Sequence, residues 1–163
     1  MLQQVEANLA AVDFADMDWQ YEDPVAREEL TRRIRQAGAK QKLIVYSDLV
    51  RGVAFHVPNI KHGATYFIDT SEWEGLDRAL IGSFLGQISA ESYLQAGFLA
   101  SALVVNKSGF RPSDQFFEWM EELGVLPNLT EDTVLAFWAD QVNKGHNWYS
   151  KHPHGPIQGG PDH

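Results

Sequence analysis

Residues 73–95 read WEGLDRALIGSFLGQISAESYLQ, and they form the longest apolar helical pattern in this chain. Apolar side chains recur at helical spacing along one stripe, which consists of Leu76, Leu80, Phe84 and Ile88. We expect this helix to lie at the centre of the core and to pack against Leu103 and Val105. Gly82 and Gly86 lie one turn apart on it, a spacing that lets a neighbouring backbone approach closely.

Shorter patterns on both sides of this helix predict the remaining elements. Helices are predicted over residues 3–12, 24–37, 47–53, 114–123 and 131–145, and strands over 42–46, 64–68 and 98–105. Asp23 and Pro24 are typical of a helix start, and Ser47 is expected to cap the helix after the first strand. Gly38 and Gly145 are expected to end their helices. The pattern predicts an α+β fold, a mostly helical single domain with a small sheet, in a winged-helix-like order.

The composition predicts one globular domain around a single core. The chain has 163 residues, of which 44% are hydrophobic and 12% aromatic, and this is ample for one core. It contains no cysteine, so disulfides, thiolate nucleophiles and cysteine-based metal sites are excluded. No signal-peptide pattern begins the sequence, and no apolar run approaches the roughly 18–20 residues of a membrane span. We therefore expect a soluble cytoplasmic protein without a membrane partner.

The charge of the chain is unevenly distributed. Residues 1–23 contain six acids and no Lys or Arg, whereas residues 27–42 contain six bases and two acids. The net charge is −9, but residues 24–163 carry 16 acids against 13 bases, so most of the negative charge belongs to the first segment. The chain is therefore divided into an acidic leader (1–23), one α+β domain (24–148) and a flexible tail rich in His, Pro and Gly (149–163).

Two roles for the acidic leader remain open. Four large apolar side chains alternate with the acids of the leader: Phe14, Met17, Trp19 and Tyr21. We expect them to hold the leader against the core. The acids then either neutralise the arginines of residues 27–35 within the molecule or face a basic partner.

The leading interpretation is a non-catalytic accessory protein of bacterial or phage type that binds or regulates another protein. Its partner is expected to be basic, such as a nucleic-acid-binding protein, because acidic steering raises the association rate. An aromatic residue at the rim of a surface is a frequent interface anchor. The expected partner-binding residues are Asp13, Asp16, Asp18, Trp19, Glu22 and Trp138. The oligomeric state is left open.

Nucleic-acid binding is the first alternative. It would use the basic strip from Arg27 to Lys42, whose phosphate contacts would be Arg27, Arg32, Arg33 and Arg35. Ordinary winged-helix binding is disfavoured, because the long helix offers Arg78 among several acids that repel phosphate. A protein partner is therefore expected ahead of a nucleic acid.

A small enzyme is the second alternative. Its site would lie between Tyr46, Ser47 and Asp48 on one side and the segment from Ser101 to Lys107 on the other. A buried Glu91 would supply a carboxylate for acid-base chemistry. No spacing in the chain matches a nucleophile elbow, a phosphate loop or a zinc-protease helix. No catalytic residue is therefore assigned.

Histidines are concentrated near the end of the chain. His146, His152 and His154 lie within nine residues, and His163 is the last residue. Two histidines separated by one residue chelate a transition metal when the chain is extended, but Pro153 and the nearby glycines predict mobility. We expect neither a metal site nor a cofactor.

Several short segments are similar to a family of small bacterial proteins of unknown function. They are Tyr46-Ser47-Asp48-Leu49, Leu85-Gly86-Gln87-Ile88-Ser89, the run from Leu99 to Lys107, Phe116-Phe117 and Glu121-Glu122-Leu123-Gly124. The resemblance covers about residues 43–140. It carries no activity over to this chain, so the prediction of function rests on the residues themselves.

Overall fold

The computed structural model describes residues 2–155 of the 163-residue chain. Its helices are α1 (Leu2–Ala10), α2 (Pro24–Ala39), α3 (Tyr46–Val50), α4 (Gly75–Ala96), α5 (Asp114–Glu122) and α6 (Glu131–Lys151). Two short strands, β1 (Ile44–Val45) and β2 (Val104–Val105), form the small sheet. Short 3-10 helices lie at Phe14–Asp16, Lys61–Gly63 and Ala100–Leu103. The prediction of a mostly helical α+β domain with a small sheet is confirmed.

The small sheet differs from the predicted strands. β1 and β2 pair in parallel, whereas the wing of a winged-helix fold is a hairpin, and hairpin strands are antiparallel. The strand predicted over residues 64–68 is reduced to a single bridge between Phe55 and Tyr66. Ser47 does not cap α3, because that helix begins at Tyr46 and Val45 takes the capping position.

Buried polar side chains explain why residues 98–103 do not form a strand. They accept hydrogen bonds from three successive backbone N–H groups, so these groups need no strand partner. The bonds run from Leu99 N to Gln141 Oε1 at 2.8 Å, from Ala100 N to Ser92 Oγ at 2.9 Å, and from Ser101 N to Ser89 Oγ at 2.9 Å. The chain therefore turns through a 3-10 helix before it enters β2.

α4 lies at the centre of the core, as its sequence pattern predicts. Leu80, Phe84 and Ile88 are buried in one cluster together with Leu103. Val105 is also fully buried. A second cluster joins the leader to α5 and α6, and its buried members include Val5, Leu9, Phe14, Met120 and Phe137.

Two glycines that the sequence marks as helix ends lie inside helices instead. Gly38 is within α2 and Gly145 is within α6, so both helices are longer than predicted. A Cβ at Gly38 would lie 2.4 Å from Cδ2 of Tyr149, and a Cβ at Gly145 would lie 2.7 Å from Cδ1 of Leu103. Both glycines therefore permit close packing. Tyr149, which the sequence places at the start of the flexible tail, is 5% exposed and belongs to the folded body.

The acidic leader is part of the folded body. Val5 and Leu9 of α1 are buried, and so is Phe14. The Phe14 ring lies 5.1 Å from the ring of Tyr93 and 6.2 Å from that of Trp119, between centroids. The expectation that apolar side chains hold the leader against the core is confirmed.

Candidate functional site

A cleft of about 760 Å³ opens between α4 and α5. Its remaining walls come from the leader, from the segment before α4, from the start of α3 and from the turn after β2. The apolar side chains on the lining are Trp19, Val45, Trp73, Ile81, Leu85, Phe116 and Trp119. Polar groups on the lining include Tyr46, Ser47, Arg78, Ser101, Asn106 and Lys107. The site therefore combines aromatic walls with neutral polar groups, two cations and the carboxylate of Asp114.

Trp19 reaches the cleft because hydrogen bonds tie the leader to α4. The Tyr21 carbonyl accepts from Ser83 Oγ at 3.1 Å and from Gln87 Nε2 at 2.6 Å. Tyr21 N–H donates in turn to Ser83 Oγ at 3.2 Å. The half-buried Trp19 ring then lies edge-on to Trp119, with centroids 6.3 Å apart. The leader thus supplies a fixed wall of the cleft.

Gly82 and Gly86 have different roles on α4. A Cβ at Gly86 would lie 2.5 Å from Cζ3 of Trp19, so the indole can rest on the helix only where a side chain is absent. A Cβ at Gly82 would meet no atom within 4 Å, and Gly82 lines the cleft. The expectation that a neighbouring backbone packs on these glycines is therefore wrong, since an indole covers Gly86 and Gly82 faces open space.

A buried carboxylate holds the segment that carries Trp73. Asp77 is 1% exposed, and it accepts from the Tyr66 hydroxyl and, at 2.9 Å, from Glu74 N. Burial and the bond to Asp77 raise the pKa of Tyr66 to about 12, so the phenol remains a donor at neutral pH. The segment between Tyr66 and Glu74 is thereby anchored at both ends, and it presents Thr70 and Trp73 to the cleft.

The structure brings most of the predicted enzyme segments onto this cleft. Tyr46 and Ser47 lie on the same lining as Ser101 and Lys107. Asp48 is not part of the lining, and its carboxylate binds Arg51 at 2.6 Å. The two segments therefore meet, although Asp48, the acid of the first segment, pairs with Arg51 outside the lining.

Two polar side chains on the lining form hydrogen bonds within the fold. The Tyr46 hydroxyl accepts from Ser113 N at 3.1 Å, and Ser101 Oγ accepts from Ser89 Oγ at 2.6 Å. Within residues 2–155, no hydrogen bond joins Ser47 or Ser101 to a histidine or a carboxylate. The candidate acid Glu91 is not on the lining, and 62% of its side chain is exposed. An activated serine nucleophile needs a neighbouring base, and the described residues supply none to either hydroxyl.

Sequence reasoning missed Thr70, Trp73, Arg78 and Gly82 as site residues. One signal was available, because Arg78, Gly82 and Gly86 are four residues apart and share one face of a helix. That face carries a cation followed by two positions without side chains. The partner elements that turn this face into a cleft cannot be read from the spacing.

The leader presents a set of free carboxylates, which we call the acidic edge. The acidic edge consists of Asp13, Asp16, Asp18 and Glu22. All four side chains are exposed, and none forms an ion pair within residues 2–155. Two other leader acids are engaged. Asp23 accepts from Val25 N and Ala26 N at the start of α2, and Glu6 binds Lys144 at 3.1 Å. The acidic edge lies on the same segment that supplies Trp19 to the cleft.

Trp138 is not part of the cleft lining. It is half-buried on α6, and its indole N–H donates to the Ala102 carbonyl at 2.8 Å. Its neighbour Phe137 is 1% exposed. The structure thus places Trp138 as a link between α6 and the 3-10 helix before β2, apart from the other predicted partner-binding residues.

The arginines of α2 bind acids of α2 and α4. Arg32 and Arg33 bind Glu29 at 2.6 and 2.8 Å, and Arg27 lies 3.9 Å from Glu91. Arg33 also donates to three backbone carbonyls at and after the end of α3. The alternative in which leader acids pair with these arginines does not occur within residues 2–155, where the partners are Glu29 and Glu91.

Arg35 has a different environment. Its Nε is buried and has no hydrogen-bond partner within residues 2–155, and its guanidinium lies beside Gly155. Burial raises the pKa of the neighbouring Tyr149, and the charge of Arg35 opposes that rise. The basic strip predicted from Arg27 to Lys42 is therefore not a continuous row of cations facing solvent.

We expect Glu29→Gln to lower stability only at pH values where the carboxylate is charged. The hydrogen bond from Arg32, aided by Arg33 and opposed by partial burial, holds the pKa of Glu29 at about 2 instead of 4.5. This stabilisation is present above about pH 4.5 and is lost as the pH falls towards about 2. Because 32% of the Glu29 side chain is exposed, the expected loss is about 0.5–1 kcal/mol.

Thermal melts at about pH 7 and about pH 2.5 check this expectation. The difference between wild type and Glu29→Gln should shrink at the lower pH. Glu28→Gln, an exposed neighbour, serves as the control and should have little effect at either pH. An equal loss at both pH values would show that the charge of Glu29 contributes nothing.

The described histidines occupy separate positions. His146 Nε2 lies 3.0 Å from the Lys42 carbonyl oxygen, and His152 stacks on Trp148 with centroids 3.6 Å apart. Within residues 2–155, no group of three or more His, Cys, Asp or Glu side chains is arranged to hold a metal ion. His163, the remaining histidine of the tail, lies outside the described residues.

Comparisons with known proteins found no relative of this chain, so the site is interpreted from its geometry. No protein-family model, no curated protein and no solved structure matches the chain. The similarity to small bacterial proteins of unknown function therefore stays a prediction. Among the helices of residues 2–155, none is long and apolar enough to cross a membrane.

Proposed function

We propose that this protein is a non-catalytic accessory protein that binds a basic protein through its leader. The observation that supports the proposal is the acidic edge. Asp13, Asp16, Asp18 and Glu22 are exposed and have no ion pair within residues 2–155. They lie on a segment that buried side chains hold in place.

The fixed position of the leader favours binding. Phe14 and Tyr21 are 3% and 7% exposed, and the Tyr21 carbonyl accepts two hydrogen bonds from α4. A segment that is already ordered loses little conformational entropy when a partner binds. Its carboxylates therefore meet a partner in a preformed arrangement.

Charge complementarity defines the chemistry of the partner. Four exposed carboxylates lie within residues 13–22, and Lys or Arg side chains of a partner are the groups that would pair with them. The field of these carboxylates accelerates the encounter with a basic surface, such as that of a nucleic-acid-binding protein. Trp19, half-buried beside these acids, adds an aromatic contact.

We expect Asp13→Asn, Asp16→Asn and Asp18→Asn together to slow association with a basic partner. Affinity capture from the source cells identifies the partner, and association rates are then measured at about 50 mM and about 300 mM salt. The wild-type rate should fall steeply with salt, and the variant should be about tenfold slower at low salt with a flatter dependence. The melting temperature should stay unchanged, because these acids form no described ion pair.

A matched variant removes the same charge from exposed positions outside the leader. It combines Glu28→Gln, Glu72→Gln and Asp132→Asn, and its association rate should remain close to that of the wild type. Equal slowing by both variants would assign the effect to net charge and reject the acidic edge. An unchanged rate with a lower melting temperature in the leader variant would leave the leader as structure alone.

A small enzyme remains a second candidate, because the structure brings two predicted segments onto one cleft. Tyr46 and Ser47 share its lining with Ser101 and Lys107. Hydrolysis of p-nitrophenyl acetate tests serine-based acyl transfer on this cleft. Turnover that Ser47→Ala or Ser101→Ala abolishes would replace the binding proposal, and turnover equal to that of buffer would remove this chemistry.

A further inference from the structure

We propose that the cleft between α4 and α5 binds a small amphipathic anion, a molecule with an apolar body and one carboxylate or comparable anionic group. This site goes beyond the protein partner proposed above. Its lining contains Trp19 of the leader but none of the carboxylates of the acidic edge.

The cleft has the size and walls of a small-molecule site. Its volume of about 760 Å³ lies within the range of about 300–1,000 Å³ that is typical of ligand pockets. Trp19, Trp73 and Trp119 are half-buried and supply flat apolar walls. Ile81 and Leu85 are 5% and 8% exposed and form an apolar base on α4. Contact with an apolar ligand would remove the exposed parts of these side chains from water.

Gly82 leaves room for that body. It lies in the interior of α4, where alanine is a better helix former than glycine. No atom lies within 4 Å of the position that its Cβ would occupy, so packing against a neighbour does not require glycine here. Because glycine has no side chain, nothing projects from α4 into the cleft at this position. The position thus favours an occupant that lies against the helix.

The charges on the lining favour an anionic group. Arg78 and Lys107 line the cleft, and neither forms an ion pair within residues 2–155. Asp114 is the acid on the described lining, so cations outnumber acids there although the net charge of the chain is −9. Ser101 and Asn106 add neutral hydrogen-bonding groups. An anionic group would gain charge-assisted hydrogen bonds from Arg78 and Lys107.

Two matched dyes test the chemical class of the ligand. The anionic dye is 1-anilinonaphthalene-8-sulfonate, and its uncharged parent is N-phenyl-1-naphthylamine. In fluorescence titrations we expect one sulfonate dye per protein, bound at least about tenfold more tightly than the parent and displaced by dodecanoate. Equal affinity for the two dyes, or no displacement by dodecanoate, would overturn the amphipathic anion.

A cleft-filling variant tests the location. Gly82→Phe places a ring in the open space, and Ala79→Phe adds the same side chain at an exposed position of α4 outside the lining. Gly82→Phe should weaken both dyes more than about tenfold without lowering the melting temperature, and Ala79→Phe should leave the affinities unchanged. Unchanged affinity in Gly82→Phe, or an equal loss in both variants, would overturn the cleft as the site.

Charge variants test the two cations. Arg78→Gln with Lys107→Gln should abolish the preference for the sulfonate while the affinity for the uncharged dye stays the same. Lys40→Gln with Lys151→Gln, exposed and outside the lining, should preserve the preference. A preference for the sulfonate dye that persists without Arg78 and Lys107 would overturn their role.

The variant that combines Asp13→Asn, Asp16→Asn and Asp18→Asn should still bind the dye. Failure of one proposal therefore leaves the other standing.

Discussion

Replacing Phe84 with alanine is expected to lower the free energy of unfolding by about 3–5 kcal/mol. Phe84 is fully buried on the central helix, and its ring lies 5.4 Å from that of Phe55, between centroids. Removing the ring deletes these contacts and leaves a cavity that close-packed neighbours fill only in part.

Chemical denaturation measures this loss. Phe67→Ala is the matched control, because that side chain is 55% exposed and its removal should change the free energy of unfolding by no more than about 0.5 kcal/mol. A loss below about 1 kcal/mol for Phe84→Ala would contradict the packing of α4 described above.

Replacing Gly38 with alanine is expected to destabilise the protein by about 1–3 kcal/mol. The new Cβ would lie 2.4 Å from Cδ2 and 3.0 Å from Cβ of Tyr149. Because the close atoms include the base of the tyrosine side chain, a rotation of the ring cannot relieve the overlap. α2 and α6 would have to move apart, and this would loosen one of the main helix pairs of the fold.

The same substitution at Gly82 should have the opposite sign. Gly82→Ala removes a flexible residue from the interior of α4 and meets no neighbour, so a gain of up to about 1 kcal/mol is expected. Denaturation curves for the two alanine variants provide the comparison. A gain for Gly38→Ala would show that its contacts with Tyr149 do not control its effect, and a loss for Gly82→Ala would contradict the open surroundings of that position.

The leader has a buried apolar part and an exposed acidic part. Leu9, Phe14 and Tyr21 of the leader are buried, and the Phe14 ring lies beside those of Tyr93 on α4 and Trp119 on α5. The four carboxylates of the acidic edge form no ion pair within residues 2–155. Folding therefore uses one set of leader residues, and the proposed recognition of a basic protein uses the other.

The local sequence pattern was sufficient to predict the long amphipathic helices. The stripe that contains Leu80, Phe84 and Ile88 predicts both the helix and its buried face, because apolar side chains at helical spacing must lie together. Asp23 and Pro24 mark the start of α2, where the Asp23 carboxylate accepts from backbone N–H groups. The mixed fold class follows from such elements.

The glycines show where local pattern fails. A glycine ends a helix when the backbone needs a positive φ, as Gly97 does with a φ of 79°. It continues a helix when another element must approach closely, as Tyr149 approaches Gly38. The two cases look the same in the sequence, because the deciding contact comes from a residue more than a hundred positions away.

The candidate site divides in the same way. The sequence by itself determined that the acids of the leader cluster without any Lys or Arg, and it pointed to the two segments that carry Ser47 and Ser101. Only the tertiary structure decided that these segments, Trp19 and Trp73 surround one cleft, and that Gly82 keeps it open. Charge and periodicity are properties of neighbouring residues, whereas a cleft forms from the packing of elements that are distant in the chain.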